Sequence, residues 1–395
     1  MFAKMFDSDL AASDVGRSNR IYSEDEVIAI QSVMRDAEQL LEERRRLYEL
    51  VSRCKVALAP HRKLPEDVLW CIFSLHVQDG MQVPFTRSNG QLVIPAAVVL
   101  THVCSLWRRI ALTSPELWSN ISLEVHIRDR SFPPGTLELL SRACNLPINL
   151  ELRVLFPGSG DRDFDFGDAL DQLSSNHSIQ KLRLHIDKTI QPNFSLDDMF
   201  SVGSLNRVRD LDFHLHDFPV CTQTSFPNLE ALVCHTPFIG GNIYLPGVPW
   251  SQLRRLDLST YMQDVLTALR LLSQCAMMEE CKLLVIVSGY PMDPKIALLN
   301  LRALKFTFLI ENSEDFDILD AFFSLLSFPI LQSLIIAEEE SFFPSSRVIS
   351  PLARNLKLMA PQLHELYFNI PIDDGEAYTL SEHMPSLHIA VVDSE

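Results

Sequence analysis

The sequence predicts an α/β chain: one long N-terminal helix, a small all-α module, and then a solenoid built on a curved parallel sheet. Three observations carry this expectation. No glycine or proline occurs between Ile21 and Ala59, two strongly apolar helical segments lie within 60–130, and one apolar pattern recurs through 131–395. At 395 residues the chain exceeds what one hydrophobic core accommodates, so several modules or a repeat array are required. Hydrophobic residues make up 47% and charged residues 22%, an ordinary balance for a folded protein, which leaves disorder to the ends. Residues 1–20, polar and rich in serine and aspartate, read as a loose tail.

The stretch 21–59 is built from Glu, Arg, Leu and Ala, all good helix formers. Ser23 followed by Glu24, Asp25 and Glu26 supplies a capping hydroxyl and negative charge to the positive end of the helix. Alternating steps of three and four from Val27 reach Ile30, Met34, Ala37, Leu41, Arg44, Tyr48, Val51, Lys55 and Leu58, a heptad-like seam broken at Arg44 and Lys55. Such a seam serves self-association or packing against the following module. Pro60 ends the helix.

Residues 60–130 form the second module. Its first helix opens at Leu64-Pro65-Glu66-Asp67, where proline costs no hydrogen bond and the acids suit the helix dipole. Leu64, Val68, Leu69, Ile72, Phe73 and Leu75 then cover more than half of its circumference, so it must face both its own module and something else. A polar loop over Gln78–Pro95 precedes a second helix expected over 96–111, with an apolar stripe of Val99, Val103, Leu106, Trp107 and Ile110. Ser114-Pro115-Glu116 restarts a turn, and Ile121–Val125 alternates like a strand.

The string LPEDVLWCIFSLHV, a loop, and VCSLWRRIALTSPELWSNISL resemble the F-box, in particular the F-box-like form of basidiomycete fungi. The resemblance covers about residues 40–125, and the loop between the two helices is longer than in the commonest F-boxes. It implies a module that docks on a Skp-family adaptor and through it joins a cullin–RING ubiquitin ligase. Carried over position by position, the docking residues are Leu64, Pro65, Leu69, Ile72, Phe73, Val103, Cys104 and Trp107. Helix-in-groove binding uses apolar anchors at this spacing, and a tryptophan often dominates such an interface. The same residues at the same spacing also suit the interior of a small helical bundle.

Phe132-Pro133-Pro134-Gly135 is a rigid break. Beyond it, apolar-x-x-Leu-x-apolar recurs with central positions at Leu182, Leu211, Leu232, Leu256, Cys281, Leu304, Leu334, Leu366 and Ala390, steps of 29, 21, 24, 25, 23, 30, 32 and 24 residues. Most steps fall in the leucine-rich-repeat period of about 20–29 residues. Each unit would contribute a short strand and a returning segment, with helical returns at 264–276 and 316–326. Alternate strand residues enter a shared core, and their neighbours form the opposite, concave face. That face would hold Arg183, His185, Asp212, His214, Val233, His235, Asp257, Ser259, Lys305, Thr307, Ile335, Tyr367 and Asn369, a mixed ribbon suited to an unknown protein substrate. The pattern resembles the irregular leucine-rich repeats of F-box proteins, although the consensus asparagine is mostly missing.

Charge narrows the partners further. Of the net −17, residues 131–395 supply −16, a field that disfavours nucleic acid and anionic membranes. Eight cysteines, at 54, 71, 104, 144, 221, 234, 275 and 281, show no CxxC pair or disulfide-dense spacing, which fits reduced thiols in the cytoplasm or nucleus. The N-terminus lacks the basic start and apolar run of a signal peptide, and no apolar run reaches the ~20 residues that span a bilayer. No enzyme chemistry, cofactor or metal is expected. His214-x-His216 with Cys234-His235 offers imidazoles but no evident set of three or four convergent ligands, so these histidines read as solvated. Gly158-Ser159-Gly160-Asp161 lacks the context of a nucleophile elbow, and Asp161, Asp163 and Asp165 lack the glycine and glutamate of a calcium loop.

Overall fold

A computed structural model describes residues 22–57, 64–77, 81–83, 94–126, 135–155, 173, 177–186, 205–214, 225–235, 247–291, 294–310, 316–338, 346–369, 374–384 and 386–391. The tail over 1–20, the break at 132–134, the acidic stretch 158–165 and His216 lie outside these residues. The chain divides into two units, Met1–Leu69 and Trp70–Glu395.

In the first unit, helix α1 spans Glu24–Ala57. Its start is a reciprocal capping box: the Ser23 amide donates to Glu26 Oε2 at 2.8 Å, and the Glu26 amide donates to Ser23 Oγ at 3.3 Å. The seam residues Met34, Leu41, Tyr48 and Val51 are all exposed. Ser23→Ala should cost the helix start about 1 kcal/mol. Amide exchange in the first turn of α1 should then accelerate about fivefold, while exchange beyond Val33 stays unchanged.

Helix α2, Glu66–His76, begins in the first unit and ends in the second. The single helix expected over 96–111 is instead two, α3 (Ala96–Val103) and α4 (Ser105–Thr113). Cys104 between them is extended, with φ −159° and ψ 172°. The β-branched run Val98, Val99, Thr101 and Val103 weakens helix propensity just before the break. Ser114 does not cap the turn Pro115–Trp118; its hydroxyl donates back to Ile110 O at 2.8 Å. The turn is held instead by buried Trp118, whose Nε1 donates to Ala111 O at 2.8 Å.

Among the described residues, the second unit is organised by a parallel sheet of twelve strands that follow one another in sequence order. They are β1 (Met81–Val83), β2 (Asn120–His126), β3 (Ile148–Leu155), β4 (Ile179–Ile186), β5 (Asp210–His214), β6 (Ala231–His235), β7 (Arg255–Asp264), β8 (Glu280–Ile286), β9 (Ala303–Leu309), β10 (Ser333–Glu338), β11 (Glu365–Asn369) and β12 (His388–Val391). β1 corrects the expectation that the module is all-α apart from the strand-like Ile121–Val125, since it lies in what reads as a polar loop. β2 covers that expected strand and pairs in parallel with both β1 and β3. The sheet therefore begins well before the expected break at 132–135.

Strand periodicity sets the faces. Leu182 and Leu184, Leu211 and Phe213, Leu232 and Cys234, Leu256 and Leu258, Cys281 and Leu283, Leu304 and Phe306, Leu334 and Ile336, and Leu366 and Phe368 are all buried. These residues sit beside their equivalents on the next strand, except that the ladder between β6 and β7 pairs Leu232 with Leu256 and ends before Cys234. The expected helical returns are present as α6 (Val265–Gln274), capped by Asp264 accepting from the Thr267 amide at 2.7 Å, and α7 (Phe316–Ser324). Short α5 spans Thr136–Ser141, while α8 (Ser346–Met359) and α9 (Asp374–His383) were not anticipated. Phe306 and Phe308 meet Phe322 and Phe323 of α7 with ring centroids 5.4 to 6.2 Å apart, an aromatic cluster in the core.

Side-chain amides tie the segments that connect successive strands. Asn228 Nδ2 donates to Asn206 O at 2.6 Å, and Asn300 Nδ2 donates to Ala276 O at 3.2 Å. Among the described residues, no helix is long and apolar enough to cross a membrane.

Candidate functional site

Two surfaces hold the residues singled out from the sequence. The first is the helical module. Leu64 is half-buried, Pro65 exposed and Leu69 wholly buried; all three belong to the first unit. In the second unit Phe73 is wholly buried and packs edge-on against half-buried Trp107, ring centroids 4.8 Å apart. Leu69 and Phe73 thus have no surface to offer a partner, a correction to their expected docking role, because helical spacing alone does not separate inward from outward positions. Cys104 is half-buried. Ile72 (43% exposed) and Val103 (46%) remain open, joined by Trp70, Leu75, Val99 and Leu112, whose roles the sequence left unassigned.

The second surface is the sheet face opposite the leucine core. Glu151, Arg183, Asp212, Val233, Asp257, Lys282, Lys305, Ile335 and Tyr367 lie directly beside one another across nine consecutive strands. The next row includes Arg153, His185, His214 and His235. Thr307, Ala337 and Asn369 form a further row across β9, β10 and β11. Ser259 departs from its row, since the register of β7 against β8 shifts between Leu258 and Met262.

Opposite charges pair along the strip. Arg183 Nε donates to Asp212 Oδ2 at 2.7 Å, Arg153 meets Glu151 at 2.7 Å, and Lys282 Nζ lies 2.8 Å from Asp257 Oδ2. Burial pushes the Asp257 carboxyl up, but Lys282 and the Ser259 hydroxyl and amide outweigh it and hold the group below the usual carboxylate range. A pocket of about 170 Å³ opens among the first residues of β4–β8. Lys181, Arg255 and Lys282 face Asp210, Asp212, Asp257 and Glu280 around it.

The histidines of the strip stay partly exposed and stack on one another. His185 stacks on His214 at 4.0 Å and 17°, and His214 stacks on His235 at 4.2 Å and 24°. Burial drives His185 down to about 4, aided by the neighbouring His214 and opposed by Glu151, and burial also lowers His214. His185 is therefore neutral at pH 7. Buried Asp212 stands beside them, its Oδ1 3.2 Å from His214 Nε2 and 3.7 Å from His235 Nε2. The repeat pattern puts His214 and His235 at equivalent positions of adjacent units, and the register sets them directly opposite one another.

The seven cysteines among the described residues are unpaired. Burial pushes the Cys275 thiol up to about 12 and raises Cys234 and Cys281 well above their ordinary value, so none of the three is a ready thiolate nucleophile. Comparison with protein-family models and with curated proteins returns no match.

Proposed function

We propose that this chain is a non-enzymatic substrate-recognition adaptor of a Skp–cullin–F-box ubiquitin ligase. The apolar helices bind a Skp-family adaptor, and the sheet, as the spine of an irregular leucine-rich-repeat solenoid, offers its polar strip to a protein substrate. The observation that carries the reading is the open apolar surface of the module. Trp70, Ile72, Leu75, Val99, Val103 and Leu112 are each at least 39% exposed on short helices. Large apolar side chains grouped on short helices mark a binding surface, and their order in the chain resembles the F-box. The ion-paired strip supports the second half of the reading, since a polar surface with aromatic and aliphatic members suits a protein partner. The exposed seam of α1 supports pairing of this helix with a second copy of itself.

Ile72→Asp with Val103→Asp tests the docking surface without touching the core. Co-purification with a Skp-family adaptor should fall at least tenfold while the melting temperature stays within a few degrees of the parent. Unchanged capture by the double variant sinks the assignment of this surface. A second reading, a protein-interaction scaffold whose helices merely cap the sheet, is favoured by the complete burial of Leu69 and Phe73. It prevails if the folded parent chain captures no adaptor at all.

A further inference from the structure

We propose that Asp212, His214 and His235 form a binding site for a divalent metal ion of the zinc class, on the open face of the sheet and independent of the adaptor reading. Candidate donor atoms of the three residues all lie within 4.8 Å of one another. Asp212 is the centre of the argument. Its side chain is nine-tenths buried; Oδ2 accepts from Arg183, yet buried Oδ1 has no hydrogen-bond partner. An acceptor left in that condition is destabilising, the more so when charged. Two imidazole nitrogens stand close to Oδ1, and neither meets it with hydrogen-bond geometry. One cation accepting a lone pair from each of the three satisfies the carboxylate at once.

The spacing fits such an ion. Zinc–nitrogen and zinc–oxygen bonds of about 2.1 Å at tetrahedral angles set neighbouring donors about 3.4 Å apart. The separations of 3.2 and 3.7 Å from Asp212 Oδ1 to His214 Nε2 and His235 Nε2 straddle that value. All three residues sit on paired strands β5 and β6, with His214 directly opposite His235, so the scaffold is rigid rather than carried on loops. Arg183 orients Asp212 from behind, as outer partners do in metal sites. Two imidazoles among three donors favour zinc-like ions over calcium or magnesium, which take oxygen ligands. The His214 and His235 side chains are 34% and 38% exposed, leaving a fourth position open to water or to a donor from a bound partner. Binding requires the two stacked rings to tilt toward each other from their 24° interplanar angle.

The test is zinc binding by the full chain, freed of any histidine tag and dialysed against chelator. We expect one zinc ion per chain, tetrahedral visible bands when cobalt(II) replaces it, and a melting temperature that rises with zinc concentration. His214→Ala and His235→Ala should each weaken zinc binding at least tenfold, while His364→Ala, on an exposed and remote histidine, should leave it unchanged. Melting each variant without metal establishes that it folds. Asp212→Asn should weaken binding too, but it also breaks the Arg183 pair, so the histidine variants decide. A folded parent chain that binds no stoichiometric zinc, or binding that survives in both histidine variants, overturns the proposal.

Discussion

Phe306→Ala is expected to destabilise the sheet-bearing unit by about 3–5 kcal/mol, a large share of the stability of any domain. Phe306 is wholly buried, with its ring 5.5 Å from Phe308 and 5.4 Å from Phe322. Removing it deletes the transfer energy of one ring, opens a cavity between sheet and helix, and breaks the edge-to-face contact with Phe322, worth about 0.5–1.5 kcal/mol. β9 lies between β8 and β10, so neither strand can close over the gap without losing its own register. Urea denaturation should report the loss as a lower midpoint with a similar slope. Phe306→Leu, which keeps most of the volume, should cost clearly less. A loss under 1 kcal/mol for the alanine variant would show that the cluster does not support the core.

Acidification from pH 7 to pH 4 should remove about 2 kcal/mol of stability through His185 alone. Burial, with help from His214 and Arg153 and against Glu151 and Asp212, lowers this imidazole from 6.5 to about 4 in the folded chain. The unfolded chain therefore takes up the proton first. The contribution is complete above about pH 6.5, falls away as the pH drops toward 4, and is gone below that. The full shift corresponds to about 3 kcal/mol, reduced here because His185 keeps 30% of its side chain exposed. His177 and His214, also lowered by burial, act in the same direction. Denaturant midpoints for His185→Gln should vary less between pH 7 and pH 5 than those of the parent, a window that precedes most carboxylate titration. Parallel pH profiles for the two proteins would refute the half-buried, neutral state of His185.

Much of this architecture was readable in the chain. The recurrent leucine pattern located β4–β12, because a strand core needs apolar residues two apart and each unit repeats the same demand. Ser23 and Glu26 announced the start of α1 through a local capping motif, which needs no distant partner. β1 was unreadable, since three residues in a polar loop carry no pattern, and their strand pairs with the distant Ile121–Leu123. The division between α3 and α4 was equally obscure, because apolar spacing continues across Cys104 while its backbone does not.

Periodicity along the chain determined which residues share a face: Arg183, Asp212 and Asp257 had to oppose the leucines, since successive strand side chains point to opposite sides. Only the tertiary structure decided who their neighbours are. Strand register is set by contacts between segments more than twenty residues apart, and a shift of one residue would have separated Asp212 and His214, neighbours on one strand, from the His235 imidazole. The same holds for α2, whose sequence marks Leu69, Ile72 and Phe73 alike as apolar, while packing buries Leu69 and Phe73 and leaves Ile72 at the surface.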